Sequence, residues 1–332
     1  MGVKLSGLFE SKKIKIGELS GKVIAIDAFN WIFQFLTTIR MADGSYLTDS
    51  QGRVTTHLNG LFYRSVSLLE NKIKPVFVFD GKAPKFKKET LQEREKTKEE
   101  AMEKMEHAVT VEEKAMYMRR LARIDDYIID SSKELLLYLG IPCIQAPAEG
   151  EAQAAVLSKE GKVFAAASQD YDTLLFGAKK VVRNLNITNK RKVNGKGIMT
   201  SVSPELIDAG SNLSKLGISR EQLILLSLFV GTDYNKGVEG IGPKKALKLV
   251  KEKSRKELFS AYDFRADYDI DEIYEYFITP NSIEVNEDLN PNKINKDKLV
   301  KFLCDEHSFS KERVNQYLEK VKIEDNSLSF YG

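Results

Sequence analysis

Two short apolar runs in this chain lead straight into aspartate, and a third has two aspartates just after it. They are Val23-Ile24-Ala25-Ile26-Asp27, Pro75-Val76-Phe77-Val78-Phe79-Asp80, and Val163 to Ser168 followed by Asp170 and Asp172. Apolar runs of this length without polar alternation bury both faces, as strands do in a parallel sheet covered by helices. The intervening segments carry helical patterns: Ala28 to Arg40, His57 to Ile73, Ser131 to Leu139 and Glu149 to Glu160. Asp130 or Ser131 is the expected N-cap of the third, and Gly140 and Gly161 are expected stops. Ile141 to Ala146 adds another apolar run. The order predicts an α/β fold with a mostly parallel sheet flanked by helices. Lys85 to Arg123 departs from it, being rich in Glu, Lys and Met without a wide apolar stripe, which predicts helices standing clear of the core. Beyond Phe264 the chain is polar, acidic and poorly periodic, with helical patches such as Lys298 to Cys304.

The carboxyl ends of strands in an open parallel sheet form its ligand crevice. Asp27, Asp80, Asp170 and Asp172 fall there, and Glu149 and Glu151 open the helix after Ile141 to Ala146. Asp233 follows an apolar helix ending Phe229-Val230-Gly231. One such acid is commonly a turn or N-cap residue. Seven at one edge repel one another unless cations neutralise them. Hard oxygen donors without Cys or His favour Mg²⁺, with Mn²⁺ able to substitute. Seven carboxylates exceed the needs of one ion, so two ions ~3.5–4 Å apart are expected, a site that hydrolyses phosphodiesters. The two cysteines, Cys143 and Cys304, cannot make a disulfide scaffold or a cysteine-built zinc site and fit a reducing compartment. His57, His107 and His307 lie far apart without ligand spacing.

The formal net charge is only +3, but charge is segregated. Lys82 to Lys98 holds seven basic and three acidic residues, Lys179 to Lys196 seven basic and no acidic ones, and Lys236 to Lys256 eight basic and two acidic. Asp263 to Asp288 reverses this with nine acidic residues and one basic. A single charge run is usually a solvated face. Three basic blocks predict a polyanion-binding surface, with the acidic segment turned elsewhere. Within the third block, Gly237-Val238-Glu239-Gly240-Ile241-Gly242-Pro243-Lys244-Lys245 runs a glycine-rich turn into a helix. Its N–H groups bind phosphate without reading sequence, and Lys244, Lys245 and Lys248 add charge. The pattern is not a P-loop. It reads as a helix–hairpin–helix-like duplex anchor.

Taken in order, Asp27-Ala28, Phe79-Asp80-Gly81, Ala148-Glu149-Gly150-Glu151-Ala152, Ser168-Gln169-Asp170-Tyr171-Asp172 and Gly231-Thr232-Asp233-Tyr234 with Gly240-Ile241-Gly242-Pro243 resemble the flap endonucleases. These are XPG-type structure-specific nucleases, and the likeness is greatest to archaeal members. It runs from about Met1 to Lys256. The resemblance implies a PIN-like core, a helical arch insertion, a helix–hairpin–helix-like (H3TH) motif, two Mg²⁺ ions and incision at the base of DNA 5′ flaps. It also implies 5′-3′ exonuclease activity, serving Okazaki fragment maturation and base excision repair. Residue by residue, it implies that Asp27, Asp80, Glu149, Glu151, Asp170, Asp172 and Asp233 are the metal-site acids. Lys87 and Arg94, seven apart and so about two turns up one helix face, would face the scissile phosphate. Gly2, Phe33, Arg40, Arg64 and Gly231 fall at positions that meet DNA or lie beside it, joined by Gly240, Gly242, Lys244 and Lys245 of the anchor. Carbonyls around Gly231 to Gly242 would hold K⁺. Phe33 stands where many members carry tyrosine, so stacking survives but a phenolic hydrogen bond does not.

The resemblance divides the chain into an N-region (1–98), a helical arch or linker (99–115), an I-region with the duplex anchor (116–258) and a C-terminal extension (259–332). The tail 324–332 lacks the glutamine and spacing of a standard sliding-clamp (PCNA) peptide, so a degenerate clamp peptide and a hydrophobic tail packing on the body both remain open. Met1-Gly2-Val3-Lys4-Leu5-Ser6 formally matches an N-myristoylation signal without a second membrane signal. No signal peptide or membrane span is expected, and the protein is expected to be a monomer, cytoplasmic if archaeal and nuclear if eukaryotic. Two other readings make distinct demands. A HAD-type phosphatase needs an Asp-x-Asp pair that Asp27-Ala28-Phe29 does not supply. A non-catalytic branched-DNA scaffold has no use for seven acids that repel phosphate.

Overall fold

The computed structural model describes residues 3, 5, 7–185, 191–192, 199–200 and 202–321. Gly2, part of the basic block 179–196 and the tail 324–332 lie outside them. In chain order the strands are β1 (Lys12–Lys13), β2 (Val23–Asp27), β3 (Lys74–Phe79), β4 (Cys143–Gln145), β5 (Ala165–Ala167), β6 (Lys180–Arg183), β7 (Arg191–Lys192), β8 (Met199–Thr200) and β9 (Glu205–Asp208). The helices before β5 are α1 (Ala28–Thr38), α2 (Thr56–Glu70), α3 (Lys88–Glu106), α4 (Val111–Arg120), α5 (Asp126–Tyr138) and α6 (Gly150–Glu160). After β5 come α7 (Asp172–Leu175), α8 (Ala209–Leu216), α9 (Arg220–Val230), α10 (Pro243–Glu252), α11 (Arg255–Ala261), α12 (Ile270–Ile278), α13 (Lys296–Val300) and α14 (Lys311–Leu318).

Seven strands form one sheet in the order β1-β9-β6-β5-β2-β3-β4, and β7 pairs with β8 separately. The five strands from β6 to β4 are parallel, while β9 runs antiparallel to both β6 and β1. The chain leaves β2 toward β3 and β4, then returns across it to β5. Strand order therefore reverses at β2/β5, where a doubly wound sheet opens its crevice.

Strand periodicity divides the core between the two faces. Ala25, Val76, Val78, Ala166 and Val181 pack under α6, α7 and α9, while Ile24, Ile26, Phe77, Phe79, Ala167 and Val182 pack under α1, α2 and α5. The charged segment stands apart as expected, since between Lys85 and Arg123 only Phe86, Ala101, Ala115 and Ala122 are buried apolar residues. The helix pair α3–α4 spans 88–120, wider than the 99–115 set out for an arch.

Several expectations need correction. The third helix begins at Asp126, with the Asp125 carboxylate accepting from Ile128 N at 2.9 Å, and not at Asp130 or Ser131. The acidic segment is not turned away. Its α12 packs on α9, Glu272 pairs with Lys85 at 2.6 Å, and Glu275 pairs with Arg255 at 2.7 Å. The histidines His57 and His307, remote in sequence, are both buried on either side of Tyr127, with ring centroids 5.9 and 6.5 Å from it. His57 Nε2 meets Ser131 Oγ at 2.8 Å, and burial, with His307 nearby, lowers its pKa to about 3. This pair fastens the C-terminal segment onto α2 and α5, away from the acids.

Candidate active site

Six of the seven acids are placed by where a strand stops or a helix starts, and Asp233 lies in the turn after α9. Asp27 ends β2 and caps α1, its carboxylate accepting from Asn30 N at 3.0 Å. Asp80 follows β3 and accepts from Gly150 N, at the start of α6, at 2.7 Å. That contact requires glycine: a Cβ at position 150 would lie 2.8 Å from Asp80 Oδ1 and 2.9 Å from the Val78 carbonyl. Glu151, one residue on, accepts from Ser168 Oγ at 2.9 Å, from Thr173 N at 3.1 Å and from Thr173 Oγ1. Asp172 opens α7 and accepts from Val3 N at 2.8 Å. The Asp170 amide donates to Ser168 Oγ at 3.1 Å. Carboxylates thus gather where α1, α6 and α7 direct their N-terminal dipoles and unpaired N–H groups, which offsets part of the repulsion.

Glu149 and Asp233 meet the base of α3. Lys87 Nζ donates to Glu149 Oε1 and lies 3.6 Å from Asp233 Oδ2, which Arg94 Nη2 also reaches at 2.9 Å. Thr90 Oγ1 donates to the Asp233 carbonyl at 2.6 Å. Lys87 belongs to a 3₁₀ turn (Lys85–Lys87) just before α3, so it does not share Arg94's helix, yet both donors converge on one carboxylate. On its other oxygen, Glu149 accepts from Tyr234 Oη and, at 3.4 Å, from Tyr276 Oη.

The electrostatics are those of a site short of positive charge. Burial, reinforced by Asp80, pushes Asp27 up to about 7. Burial lifts Asp172 to about 7 despite the Val3 N–H, and Asp80 to about 6 despite Gly150 and Lys87. Burial, then Asp172, Asp170 and Asp27, holds Glu151 well above the ordinary carboxylate range. Burial alone would lower Lys87, but Glu149, Asp233 and Glu151 outweigh it and keep the ammonium above an ordinary lysine. An all-oxygen donor set with unbalanced negative charge fits hard divalent cations. As they stand, no three of these side chains among the described residues close into a metal cage. Glu149 is engaged by Lys87, and Glu151 by Ser168 and Thr173.

The remaining expected positions divide. Gly231 ends α9 at φ +102°, and a Cβ there would lie 3.1 Å from the Lys236 carbonyl, so the tight turn after α9 needs glycine. Gly240 lies in the turn before α10, whose N-cap is Gly242. Lys244 and Lys245 are exposed in its first turn, where N–H groups have no carbonyl one turn earlier. Phe33, on α1, is 44% exposed, as a stacking residue would be.

Arg40 and Arg64, both partly exposed, hold backbone carbonyls. Arg40 donates to the carbonyls of Leu36, Gly44 and Met118 at 2.5, 3.0 and 3.3 Å and stacks 3.7 Å over the Tyr46 ring. Arg64 Nε donates to the Leu185 carbonyl at 2.7 Å, and burial lowers its pKa to about 10. Sequence reasoning missed Tyr234, Tyr276, Ser168, Thr173 and Thr90. Three of these are motif neighbours, whereas Tyr276 has no local signal.

Two family models match the chain, the XPG N-terminal domain over residues 1–101 and the XPG I-region over residues 140–233. Flap endonuclease 1 of Thermococcus onnurineus is 48% identical over 326 residues, covering 97% of this chain and 95% of that protein. The structure of flap endonuclease-1 from Methanococcus jannaschii is similar with a TM-score of 0.75 and 39% identity, covering 96% of this chain and 98% of that one. The catalytic core of Rad2 in complex with DNA substrate has a TM-score of 0.70 at 24% identity, with 94% and 96% covered, a likeness of fold.

Proposed function

The chain belongs to the flap endonuclease family of XPG-type nucleases, and from that premise we propose how its own residues carry the reaction. The protein is a structure-specific nuclease, a hydrolase that cuts phosphodiesters in DNA bearing 5′ flaps with the help of divalent metal. Neither a HAD-type phosphatase nor a non-catalytic scaffold finds support among its relatives.

Asp27, Asp80, Glu149, Glu151, Asp170, Asp172 and Asp233 would hold two Mg²⁺ ions, with Mn²⁺ able to substitute. When bound, such ions supply a nucleophilic water near neutral pH and stabilise the in-line transition state. The protein's own part is placement. Lys87 and Arg94 stand at Asp233, where a phosphate beside the metal-neutralised acids would come within reach of both donors. They hold its non-bridging oxygens as charge develops. Gly231, Gly240, Gly242, Lys244 and Lys245 grip duplex phosphates, and K⁺ at carbonyls of the 231–242 turn would share that grip. Phe33 offers a stacking face. Arg40 and Arg64 serve DNA indirectly, by fixing the loop after α1 and the chain at Leu185. The protein would act as a monomer, cytoplasmic if its source is archaeal and nuclear if eukaryotic. No helix among the described residues is long and apolar enough to cross a membrane. A sliding-clamp contact would rest on 324–332.

One observation carries this reading: acids from four strand ends and from the end of α9 converge beside two cationic donors from the base of α3. A labelled 5′-flap substrate, incubated with Mg²⁺ and then with EDTA, should be incised at the flap base only in Mg²⁺. Asp172→Ala and Asp80→Ala should abolish incision while retaining branched-DNA binding, because a missing ligand disturbs both ions. Near wild-type turnover in either variant would sink the two-ion assignment.

A further inference from the structure

Resting on the metal reading above, we propose that Tyr234 and Tyr276 are positioning residues that pin Glu149 by Oε2. Oε1, which has Lys87 Nζ as its donor, is then the oxygen with acceptor capacity left to face a divalent ion.

The argument begins at the helix start. Glu149 is the N-cap of α6, but its side chain makes no capping hydrogen bond, so its own helix does not orient it. Its orientation comes from three donors: Lys87 Nζ on Oε1, and Tyr234 Oη and Tyr276 Oη on Oε2. The tyrosines arrive from separate elements, the turn after α9 and α12. Their rings meet edge to face at 5.7 Å and 87°. Phe86 packs against both, at 6.2 Å from Tyr234 and 5.6 Å from Tyr276, and Phe277 lies 5.2 Å from Tyr234. Phe86 immediately precedes Lys87. One aromatic box therefore aims two hydroxyls at one oxygen of Glu149 and fixes the turn that aims an ammonium at the other.

The Tyr234 phenol is buried and needs a hydrogen-bond partner, Tyr276 is half-buried, and ring packing alone would be served by phenylalanine at both positions. The hydroxyls are thus explained by the carboxylate they hold. With Oε2 taken by two phenol donors, Oε1 is the oxygen that an ion would share with the ammonium. The ammonium also has Asp233 Oδ2 within 3.6 Å, so the aim of Lys87 rests on the two carboxylates together.

The test uses the full-length protein with Tyr234→Phe and Tyr276→Phe, which keep the rings. Mn²⁺ binding is measured without DNA by electron paramagnetic resonance, alongside melting in EDTA and kcat and KM across a Mg²⁺ titration. Losing a partner that orients a metal ligand typically lowers metal affinity ~10–100-fold. Tyr234→Phe should fall in that range and Tyr276→Phe, whose hydrogen bond is longer, below it. The EDTA melting temperature and the KM for flap DNA should stay near wild type, and kcat should recover at high Mg²⁺. Wild-type Mn²⁺ affinity in both variants, or weakening that tracks a lowered EDTA melting temperature, overturns the proposal. Glu149→Gln separates the two readings. If it too binds Mn²⁺ as wild type does, the assignment of Glu149 as a metal ligand fails first.

Discussion

Lys87 shows how far a single position can be read from sequence. Its spacing from Arg94 placed both on one helical face. The structure puts Lys87 in the turn before α3 instead, and the convergence on Asp233 survives because that turn continues into the helix. Lys87→Ala should cut the single-turnover rate on 5′-flap DNA by ~10²–10³, the usual effect of removing one transition-state donor, with affinity altered only a few-fold. Lys88→Ala, on an exposed neighbour, should be mild. Equal effects at the two would mean that bulk charge on α3, and not a positioned donor, drives the step. The acids were legible because strand ends announce themselves by the apolar run before them. The groups that hold them were not. Tyr276 lies 127 residues from Glu149 with no spacing to betray it. Arg40 and Arg64 spend their guanidinium groups on carbonyls, and a backbone acceptor carries no residue signature.

At the level of elements, α9, its turn and α10 form the unit for which the sequence carries the most explicit expectation, a duplex anchor. Gly242 caps α10, Pro243 occupies its first turn, and Ala246 and Val250 are buried while Lys244, Lys245 and Lys248 remain exposed. That division predicts a phosphate-facing side with little structural burden. Lys244→Ala with Lys245→Ala should weaken duplex binding and flatten its salt dependence, by ~0.9 in the log–log slope for each phosphate no longer neutralised. Cleavage at saturating enzyme should change much less. An unaltered slope would make these lysines surface charges. By contrast, α12 was hidden. Ile273, Tyr274 and Phe277 recur at helical spacing and are buried, but the density of acids around them masked the stripe. Composition was read as solvated surface where periodicity marked a packed helix. The short strands β6 and β9 escaped for another reason: four residues are too few to establish a period, and only their partners in the sheet define them.

For the whole molecule, the acid cluster ties folding to pH and metal. Asp27 and Asp172 titrate near 7 and Asp80 near 6 in the folded, metal-free protein, against an ordinary 3.8. Between those limits the native state binds more protons than the unfolded chain, so stability falls as pH rises through this window. The contribution of these groups is fully present below about pH 4 and lost by about pH 7–8. Outlying acids act in the opposite sense at lower pH, since hydrogen bonds from Ser45 and Asn290 hold Asp43 and Asp288 below the ordinary value. Measuring with and without metal isolates the cluster. A divalent ion replaces the protons that neutralise it, and a ligand that binds only the native state raises stability in proportion to the logarithm of its saturation. Protons compete for the same oxygens below about pH 6, so the rise in melting temperature given by Mg²⁺ over EDTA should be small at about pH 5 and large at about pH 8. Asp172→Ala should reverse part of the pattern, melting higher than wild type in EDTA at the alkaline end while gaining less from Mg²⁺. Equal Mg²⁺ increments at both ends in the wild-type protein would show that the carboxylates are already charged and balanced without metal. The repulsion inferred from their burial would then play no part in loading the site.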